Sequence, residues 1–423
     1  MILGKYSFGI GDRFGRQGQA LLAAFLKAKE AGIDITPVWN KSHREHSIIG
    51  TEPGDVRLEA DEAVKVCGWD KSYFVDADHI GLGNVEHFME ASDFFTLDVA
   101  DYIGKPGPPS VGQDGNAADA FVCRHRGLVG SLEIDGIGRP LRITEDAARG
   151  AAGKFLLAAR QAGKIFRHIK ATRGGDDFVT EVSMDETDKP QTPVELLLIL
   201  AALADEGVPV QTVAPKFSGR FNKGVDYVGD VGRFAAEFEA DVAVVRFAVR
   251  EFGLPVNLKL SVHSGSDKFS IYGPISKTLD KFDAGVHIKT AGTTWLEELT
   301  GLAMAGGEAL EVAKEIYAQA FSKIDELTKP YATVVDIDRA QLPQPARVQR
   351  WDRGAFVSAL RHDQSCPSYN PHVRQLLHVG YKVAAEMGER FLGALDKHRD
   401  VIAPNVTANI WHRHIAPIFL GRT

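Results

Sequence analysis

Eight short apolar, β-prone runs alternate with amphipathic helical stretches along the first three-quarters of this 423-residue chain, and no other feature constrains its fold as strongly. Strands that alternate with helices are typical of βαβ units and of a parallel sheet. Eight units predict an α/β fold of the TIM-like (β/α)8 barrel type, with an open doubly wound sheet as the alternative. The predicted strands are Tyr6–Gly11, Asp34–Trp39, Ser72–Asp78, Phe94–Val99, Phe178–Met184, Val210–Lys216, Asn257–His263 and Gly285–Lys289.

Two segments do not fit a simple barrel unit. Between the fourth and fifth strands, residues 104–172 begin with a stretch rich in glycine and proline and end in a long helical pattern, which predicts an insertion that acts as a lid or a subunit contact. Beyond Trp295 the pattern is mainly helical. We therefore predict a catalytic barrel over residues 1–300 that contains the insertion, and a helical C-terminal extension over residues 301–423 that packs on the barrel.

The composition excludes several classes of function. With 44% hydrophobic and 25% charged residues the chain is an ordinary globular protein, and its net charge of −7 gives no electrostatic case for binding nucleic acid or an anionic membrane. No apolar run approaches the ~20 residues of a membrane span, and the first residues do not fit a signal peptide. The three cysteines are widely spaced, which indicates reduced thiols. We expect a cytoplasmic protein with a small-molecule partner, and a homo-oligomer is left open.

Three histidines stand at or near the downstream ends of predicted strands, just before polar or glycine-rich turns: His79, His263 and His287. In parallel α/β folds, chemistry is placed at the carboxyl ends of the strands. Three neutral imidazoles that converge there would bind a divalent cation (Mn, Co, Ni or Zn) and leave room for a substrate, whereas each histidine alone would more simply be structural. The histidines in loop or helix contexts are predicted to be structural or surface residues: His43, His46, His87, His125, His168, His412 and His414.

Carboxylates cluster at the same strand ends. Asp76 and Asp78 share a strand face beside His79, and Glu181 shares a face with Asp185. An ionised carboxylate inside a barrel is costly unless it is paired or bound to a cation, and a nearby metal would also tune it for proton transfer. Asp78 and Glu181 are the predicted acid–base residues, with Asp76 as the alternative to Asp78. Asp185 could equally cap the next helix.

A glycine-rich loop follows the first strand, with GxGxxxG spacing from Gly9 to Gly15. The charged pair Asp12 and Arg13 stands where a pyrophosphate would approach the backbone, and the second strand ends without the acid that binds a ribose. No nicotinamide cofactor is therefore expected. Cationic side chains beyond the strand ends could instead receive an anionic group on a small substrate. They are Arg13, Lys41, Arg44, Lys216, Lys268 and Lys289.

Seven segments carry a longer set of motifs: Ser7–Arg13, Asp76–His79, Glu181–Thr187, Ala214–Phe217, Lys223–Asp230, His263–Ser270 and His287–Thr293. Together they resemble the motifs of the tagaturonate epimerase family, whose members interconvert D-tagaturonate and D-fructuronate. The resemblance covers most of residues 6–300 and is most specific in the two segments that begin with His263 and His287.

The resemblance implies an isomerase with a divalent metal on His79, His263 and His287. It also implies a proton acceptor in the Asp-Ala-Asp-His motif, for which we favour Asp78, and Glu181 as proton donor. Substrate contacts are predicted for Asp12, Arg13, Asp185, Lys216, Lys268 and Lys289. No nicotinamide is implied by these motifs.

The two sugar acids differ at a hydroxyl-bearing carbon one bond beyond the carbon next to the ketone. Abstraction of an α-proton cannot invert that centre, whereas retro-aldol cleavage, rotation and re-addition can, with the metal as Lewis acid. The alternatives are a metal-dependent aldolase or ketose isomerase acting on another sugar or sugar acid, and a non-catalytic sugar-acid binding protein.

Overall fold

The computed structural model describes residues 1–105, 114–290 and 292–421. Its centre is a closed barrel of eight parallel strands, because the first strand pairs with the last as well as with the second. The barrel prediction is confirmed and the open-sheet alternative is wrong. The strands are β1 (Tyr6–Ile10), β2 (Ile35–Ser42), β3 (Phe74–Ile80), β4 (Phe94–Asp98), β7 (Val179–Ser183), β8 (Thr212–Ala214), β9 (Lys259–Val262) and β10 (Val286–Lys289), with β5 (Gly130–Leu132) and β6 (Leu141–Ile143) in a separate hairpin.

Helices surround the barrel, and their boundaries follow local sequence signals. Thr192 and Glu195 form a reciprocal capping box and Pro193 occupies the first turn, so a helix begins there. Other helices end at a glycine with positive φ, such as Gly174 and Gly253. The helices up to β10 are α1 (Gly18–Glu30), α2 (His43–Ile49), α3 (Pro53–Cys67), α4 (Asp114–Arg124), α5 (Glu145–Arg173), α6 (Pro193–Asp205), α7 (Val231–Phe252) and α8 (Phe269–Phe282).

The interior of the barrel changes from apolar to charged along its axis. At the amino-terminal end a small cluster of apolar side chains fills the space between the strands. One pleat further along, the inward-facing positions are polar, with Asp76 on β3, Thr96 on β4 and Glu181 on β7. The charged half of the barrel is therefore the half at the carboxyl ends of the strands. The apolar cluster consists of Leu3, Val38, Phe74, Phe94 and Val179.

The described part of the predicted insertion lies on the outside of the barrel. Helix α4 packs against α5, and the strand β6 contacts α6. None of the described residues between 114 and 172 lines the large cavity at the carboxyl ends of the strands, so this part is not a lid over it. The Pro106–Pro109 stretch of the prediction lies outside the described residues. A role in subunit contact stays a prediction.

The C-terminal extension packs on the barrel, where α17 contacts α1 and α9, and α18 contacts α8. Among the described helices, none is long and apolar enough to cross a membrane. The helices from the end of the barrel onwards are α9 (Thr293–Ala305), α10 (Gly307–Ser322), α11 (Ile324–Thr328), α12 (Pro345–Val348), α13 (Arg353–Leu360), α14 (Pro371–Val379), α15 (Tyr381–Glu386), α16 (Glu389–Lys397), α17 (Arg399–Ala408) and α18 (Ala416–Leu420).

A buried ion pair joins the extension to the loop after β9. The guanidinium of Arg374 reaches both carboxylate oxygens of Asp267 at 3.1 Å, and both side chains are fully buried. The same guanidinium donates to the carbonyl oxygens of Gly224 and Leu360. When the remaining donors of a buried ion pair are hydrogen-bonded, most of the free-energy cost of burying the charges is offset. Removal of one partner then destabilises the fold strongly. The extension therefore holds the loops that follow β8 and β9 in place.

His414 in the extension should make stability sensitive to acid. Its Nε2 accepts from the Asp267 backbone amide and its Nδ1 lies 3.1 Å from the Asn409 carbonyl oxygen, so the buried ring is neutral. Burial lowers the pKa of His414 from 6.5 to about 4. Below pH 6.5 His414 therefore binds a proton in the unfolded chain but not in the folded protein. The free energy of unfolding falls as the pH drops to 4, by on the order of 3 kcal/mol in full.

We expect His414→Gln to lose less free energy of unfolding than the wild type between pH 7 and pH 4.5, as measured by urea unfolding at each pH. His412→Gln is the matched control, because His412 is exposed and only two residues away. If the wild type and His414→Gln lost equal stability over this range, the assignment would be wrong.

Candidate active site

A cavity of about 600 Å³ opens at the carboxyl ends of the barrel strands. Its wall includes side chains at the ends of β3, β9 and β10, and the loops after β7 and β8. Residues 330–334 of the C-terminal extension complete it. This is the face on which (β/α)8 barrels carry their chemistry. Asp185, Lys216 and Lys289, for which substrate contacts are predicted, line the cavity together with Asp78, His79 and His263.

Two histidines and one carboxylate form a group in this cavity that could hold a metal ion. One ligand atom from each of His79, Asp185 and His263 lies within 4.8 Å of the others. Among the described residues, the buried Nδ1 atom of His263 has no hydrogen-bond partner, and it lies 3.4 Å from Asp185 Oδ1. Two imidazole nitrogens and a carboxylate oxygen suit a divalent transition metal or zinc and leave coordination positions for a substrate. The residues therefore fit the predicted cation.

On each of these two imidazoles, the nitrogen that would not bind the cation lies close to a further carboxylate. Asp98 Oδ2 lies 3.2 Å from His79 Nδ1, and Glu181 Oε1 lies 2.7 Å from His263 Nε2. A carboxylate in this place holds the proton on the outer nitrogen and turns the other nitrogen towards a metal. The hydroxyl of Ser183 donates to Asp185 Oδ1 at 2.7 Å and fixes the third group.

The surrounding carboxylates set the charge of the two imidazoles. Burial lowers the pKa of His79, but Asp78, Asp98 and Asp185 outweigh it and raise the pKa to about 10. Burial is likewise outweighed at His263, where Asp185 and Glu181 raise the pKa to about 9. Both rings are therefore protonated without a cation, and a bound cation must displace these protons.

His287, predicted as the third histidine ligand, is not brought into this group. It is the second residue of β10, paired in register with Ser7 and Ser261, and it lies one pleat deeper than Lys289. Its Nδ1 is 2.9 Å from Ser7 Oγ, its ring packs against Phe94, and burial lowers its pKa to about 3. Asp185, predicted as a substrate contact or a helix cap, occupies the third position instead.

Lys289 is the counter-ion of a buried carboxylate cluster. Its ammonium nitrogen lies 2.7 Å from Asp76, 2.9 Å from Asp78 and 2.9 Å from Glu181, and it donates to Thr96 Oγ1 at 2.7 Å. Four oxygens therefore surround a residue that was predicted to bind substrate. Its charge serves mainly to hold the carboxylates in place and to keep Asp78 and Glu181 ionised.

The same cluster distinguishes Asp78 from Asp76, the two aspartates that the sequence left as alternatives for the acid–base role. Asp78 lines the cavity, whereas Asp76 is buried beneath it and has no part in the wall. At Asp78, burial is outweighed by Lys289, His79 and His263, and the pKa falls to about 2. At Asp76, burial prevails over Lys289 and raises the pKa to about 7. The geometry favours Asp78 as the group that meets a substrate in the ionised state.

Glu181 is completely buried behind His263 and does not line the cavity. Its Oε2 accepts from Thr212 at 2.7 Å, and its Oε1 is shared by His263 and Lys289. In this arrangement Glu181 orients groups that face the cavity. The role of proton donor stays a prediction for this residue.

Three residues predicted to bind substrate are instead engaged in structural contacts away from the cavity. The Asp12 carboxylate accepts hydrogen bonds from four successive backbone amides that lead into α1. Arg13 pairs with Glu45 at 3.1 Å and lies 3.8 Å over the Tyr381 ring. Lys268 is buried and donates to three backbone carbonyl oxygens, those of Asn222, Val225 and Ser266. None of the three is among the residues that line the cavity, and their substrate contacts stay predictions.

Three features of the site were missed in the sequence. Asp98 is the last residue but one of the predicted strand Phe94–Val99 and faces inward with Thr96, so the rule applied to Asp78 would have found it. Lys223 begins one of the motifs noted in the sequence, but it lies in a loop after β8, where no periodic pattern marks an inward direction. The third is the 330–334 segment of the extension, and no local signal places it over the barrel.

Comparison with known proteins shows the family and the fold of the chain. The sequence model of the tagaturonate epimerase family matches residues 2–397. A tagaturonate/fructuronate epimerase from Thermotoga maritima is 26% identical over 419 residues, which are 97% of this chain and 80% of the relative. Two structures of a fructuronate-tagaturonate epimerase from Cohnella laeviribosi share the fold. The glycerol complex has a TM-score of 0.81 at 22% identity and the native form 0.76 at 23%, each over 98% of this chain and 81% of that one.

Proposed function

Since the chain belongs to the tagaturonate epimerase family, we propose that it is an isomerase that interconverts D-tagaturonate and D-fructuronate. The observation that carries the proposal is the position of Asp78. Its carboxylate lines the cavity beside the His79–Asp185–His263 group, and its Oδ1 lies 3.8 Å from His79 Nε2. A base and a cation-binding group therefore meet at one point of a cavity large enough for a six-carbon acid.

Retro-aldol chemistry is the route that we propose for inversion of the hydroxyl-bearing carbon. A base takes the proton of its hydroxyl group, the oxygen forms a carbonyl, and the bond to the carbon next to the ketone breaks. The electron pair of that bond remains on the ketone fragment as an enediolate. After the aldehyde rotates, re-addition to its other face restores the bond with inverted configuration, and the new alkoxide takes the proton back from the base.

Asp78 is the residue that we assign as the base. Lys289 keeps this carboxylate ionised and fixes its direction, since the ammonium contacts Asp78 Oδ1 at 2.9 Å and is itself held by Thr96. A positioned base within reach of a substrate hydroxyl is the geometry required for general-base catalysis. Asp76 supports this arrangement from below through the same ammonium.

His79, Asp185 and His263 are the residues that would hold a divalent cation, whose contribution when bound is Lewis-acid stabilisation of the negative charge that develops on the ketone fragment. Asp98 and Glu181 then hold the two imidazoles in the tautomer that ligation needs. The loops after β7 and β8 and the 330–334 segment enclose the substrate and limit its contact with water.

Glu181→Gln separates a positioning role from a proton-transfer role. Because Glu181 lies behind His263, we expect the amide to weaken metal binding by about 10- to 100-fold, with turnover largely restored at saturating metal. The measurement is metal titration by calorimetry together with kcat at high metal. Retained metal affinity with kcat reduced by about two orders of magnitude would instead show Glu181 to be the proton donor that the sequence predicted.

The decisive experiment is incubation of metal-loaded protein with each sugar acid separately, followed by chromatography and without added nicotinamide. An epimerase must reach the same mixture from D-tagaturonate and from D-fructuronate. Accumulation of a three-carbon aldehyde would identify an aldolase that does not re-close the bond. Unchanged sugar with measurable binding would identify a non-catalytic binding protein, and either result would overturn the proposal.

A further inference from the structure

Two lysines on the cavity wall have no role in the chemistry described so far. Of the described residues, five lysines and arginines line the cavity: Arg44, Lys216, Arg220, Lys223 and Lys289. Lys289 is neutralised by three carboxylates, and Arg220 pairs with Asp336 at 3.0 Å. Arg44 is exposed and stacks over the Tyr331 ring. Lys216 and Lys223 remain as cations that could receive an anion from the cavity.

Lys223 differs from Lys216 because both ends of the residue are held. Its backbone amide donates to the Val334 carbonyl oxygen at 2.8 Å, which ties it to the extension segment over the cavity. Its ammonium donates to Ser264 Oγ at 2.8 Å. In the described ranges no side chain forms a hydrogen bond or ion pair with the Lys216 ammonium, so only Lys223 is oriented before a ligand arrives. Such preorganisation reduces the entropy lost on binding.

Ser264 connects this lysine to the cation-binding group. It follows His263 directly, and its φ of +49° is a left-handed conformation that a serine adopts only where the surrounding structure enforces it. The conformation places Oγ against the Lys223 ammonium. An ammonium has three donors, so two remain for a ligand. Lys223 thus faces the cavity one residue beyond the ligand position of His263.

The electrostatic setting also favours an incoming anion. Burial lowers the pKa of Lys223, against the opposing influence of Asp185, Glu186 and Glu45. None of these carboxylates forms an ion pair with it, as far as the described residues show. A poorly hydrated ammonium that lacks a paired carboxylate gains more from an anionic ligand than one in open water does.

We infer that Lys223 binds the carboxylate of the sugar acid and retains the aldehyde fragment between cleavage and re-addition, an inference that rests on the proposed function. In a retro-aldol step the ketone fragment carries no carboxylate, whereas the three-carbon aldehyde does. The aldehyde must turn its other face to the enediolate without leaving. A single ammonium suits such a pivot, because it holds one end of the fragment as a point charge and leaves the carbon–carbon bonds of the fragment free to rotate.

The test compares the sugar acid with a neutral hexulose, D-fructose, in metal-loaded wild type and Lys223→Met. We expect kcat/KM for D-fructuronate to fall by about 10- to 100-fold relative to that for D-fructose, the loss expected for one charge-assisted hydrogen bond. Free three-carbon aldehyde acid should also appear in the reaction, and Lys223→Arg should recover most of the acid preference. Equal losses on both sugars would show a merely structural residue and overturn the inference.

Lys216→Met is the matched comparison, since it removes the same charge from the same cavity. Loss of the acid preference in Lys216→Met but not in Lys223→Met would assign the anchor to Lys216 and contradict the inference. Calorimetry measures the binding of D-fructuronate without turnover, so it tests the anchor independently of the proposed function. If the wild type bound the acid without converting it, the proposed function would fail, and weaker binding by Lys223→Met would still support the anchor.

Discussion

Asp78→Asn is expected to reduce turnover of either sugar acid by about two orders of magnitude or more, while the metal content of the protein is retained. The amide cannot accept the hydroxyl proton, and removal of a positioned proton-transfer group has an effect of this general size. The measurement is kcat for both directions of the epimerisation, with metal content determined on the same preparation. The effect should fall on kcat more than on KM, because Asp78 acts in the chemical step.

Asp188→Asn is the matched control for this change. Asp188 lines the same cavity but is exposed and has no contact with Lys289 or the two histidines in the described structure. We expect its turnover to stay close to that of the wild type. Asp76→Asn tests the alternative assignment: if it abolished turnover while Asp78→Asn remained active, the base would be Asp76.

His263→Ala should abolish tight metal binding and, with it, epimerisation. The change removes one of three ligand atoms and leaves Asp185 and Glu181 without the imidazole that joins them. Elemental analysis and calorimetry on the purified variant check the prediction, and thermal unfolding shows whether the fold survives. His79→Ala is expected to behave in the same way, because it removes a second of the three ligands.

His287→Ala is the control that distinguishes the observed group from the three-histidine site predicted from the sequence. His287 lies one pleat deeper and contacts Ser7, so we expect this variant to bind metal like the wild type. Loss of metal in His287→Ala without loss of the fold would restore the sequence prediction and exclude Asp185 as the third ligand.

Much of this arrangement could be predicted because the signals are local. Strand and helix periodicity identified all eight barrel strands, and a parallel barrel brings the carboxyl ends of its strands to one face. The convergence of Asp78, His79 and His263 follows from that topology. His287 lies outside this group, because the pattern shows which residues share a face but not how deep along a short strand each one lies. Its role as a metal ligand stays a prediction.

The structural contacts of Arg13 and Lys268 show the limit of such reasoning. Arg13 donates to the carbonyl oxygen of His378, which is 365 positions away in the chain, and Lys268 is satisfied by the backbone of another loop. In the sequence both residues were simply cations near a strand end. Whether a cation is free or neutralised depends on partners that only folding brings within about 3 Å.

The sequence by itself therefore determined the barrel, the face on which the chemistry lies and the two histidines at its centre, because these depend on backbone periodicity and strand direction. Only the tertiary structure decided that Asp78 lines the cavity, that Asp185 lies beside His79 and His263, and that the Lys223 ammonium contacts Ser264. These choices depend on which charges meet across the barrel. Coulomb energies change steeply over a few ångströms, and no local pattern in the chain encodes such distances.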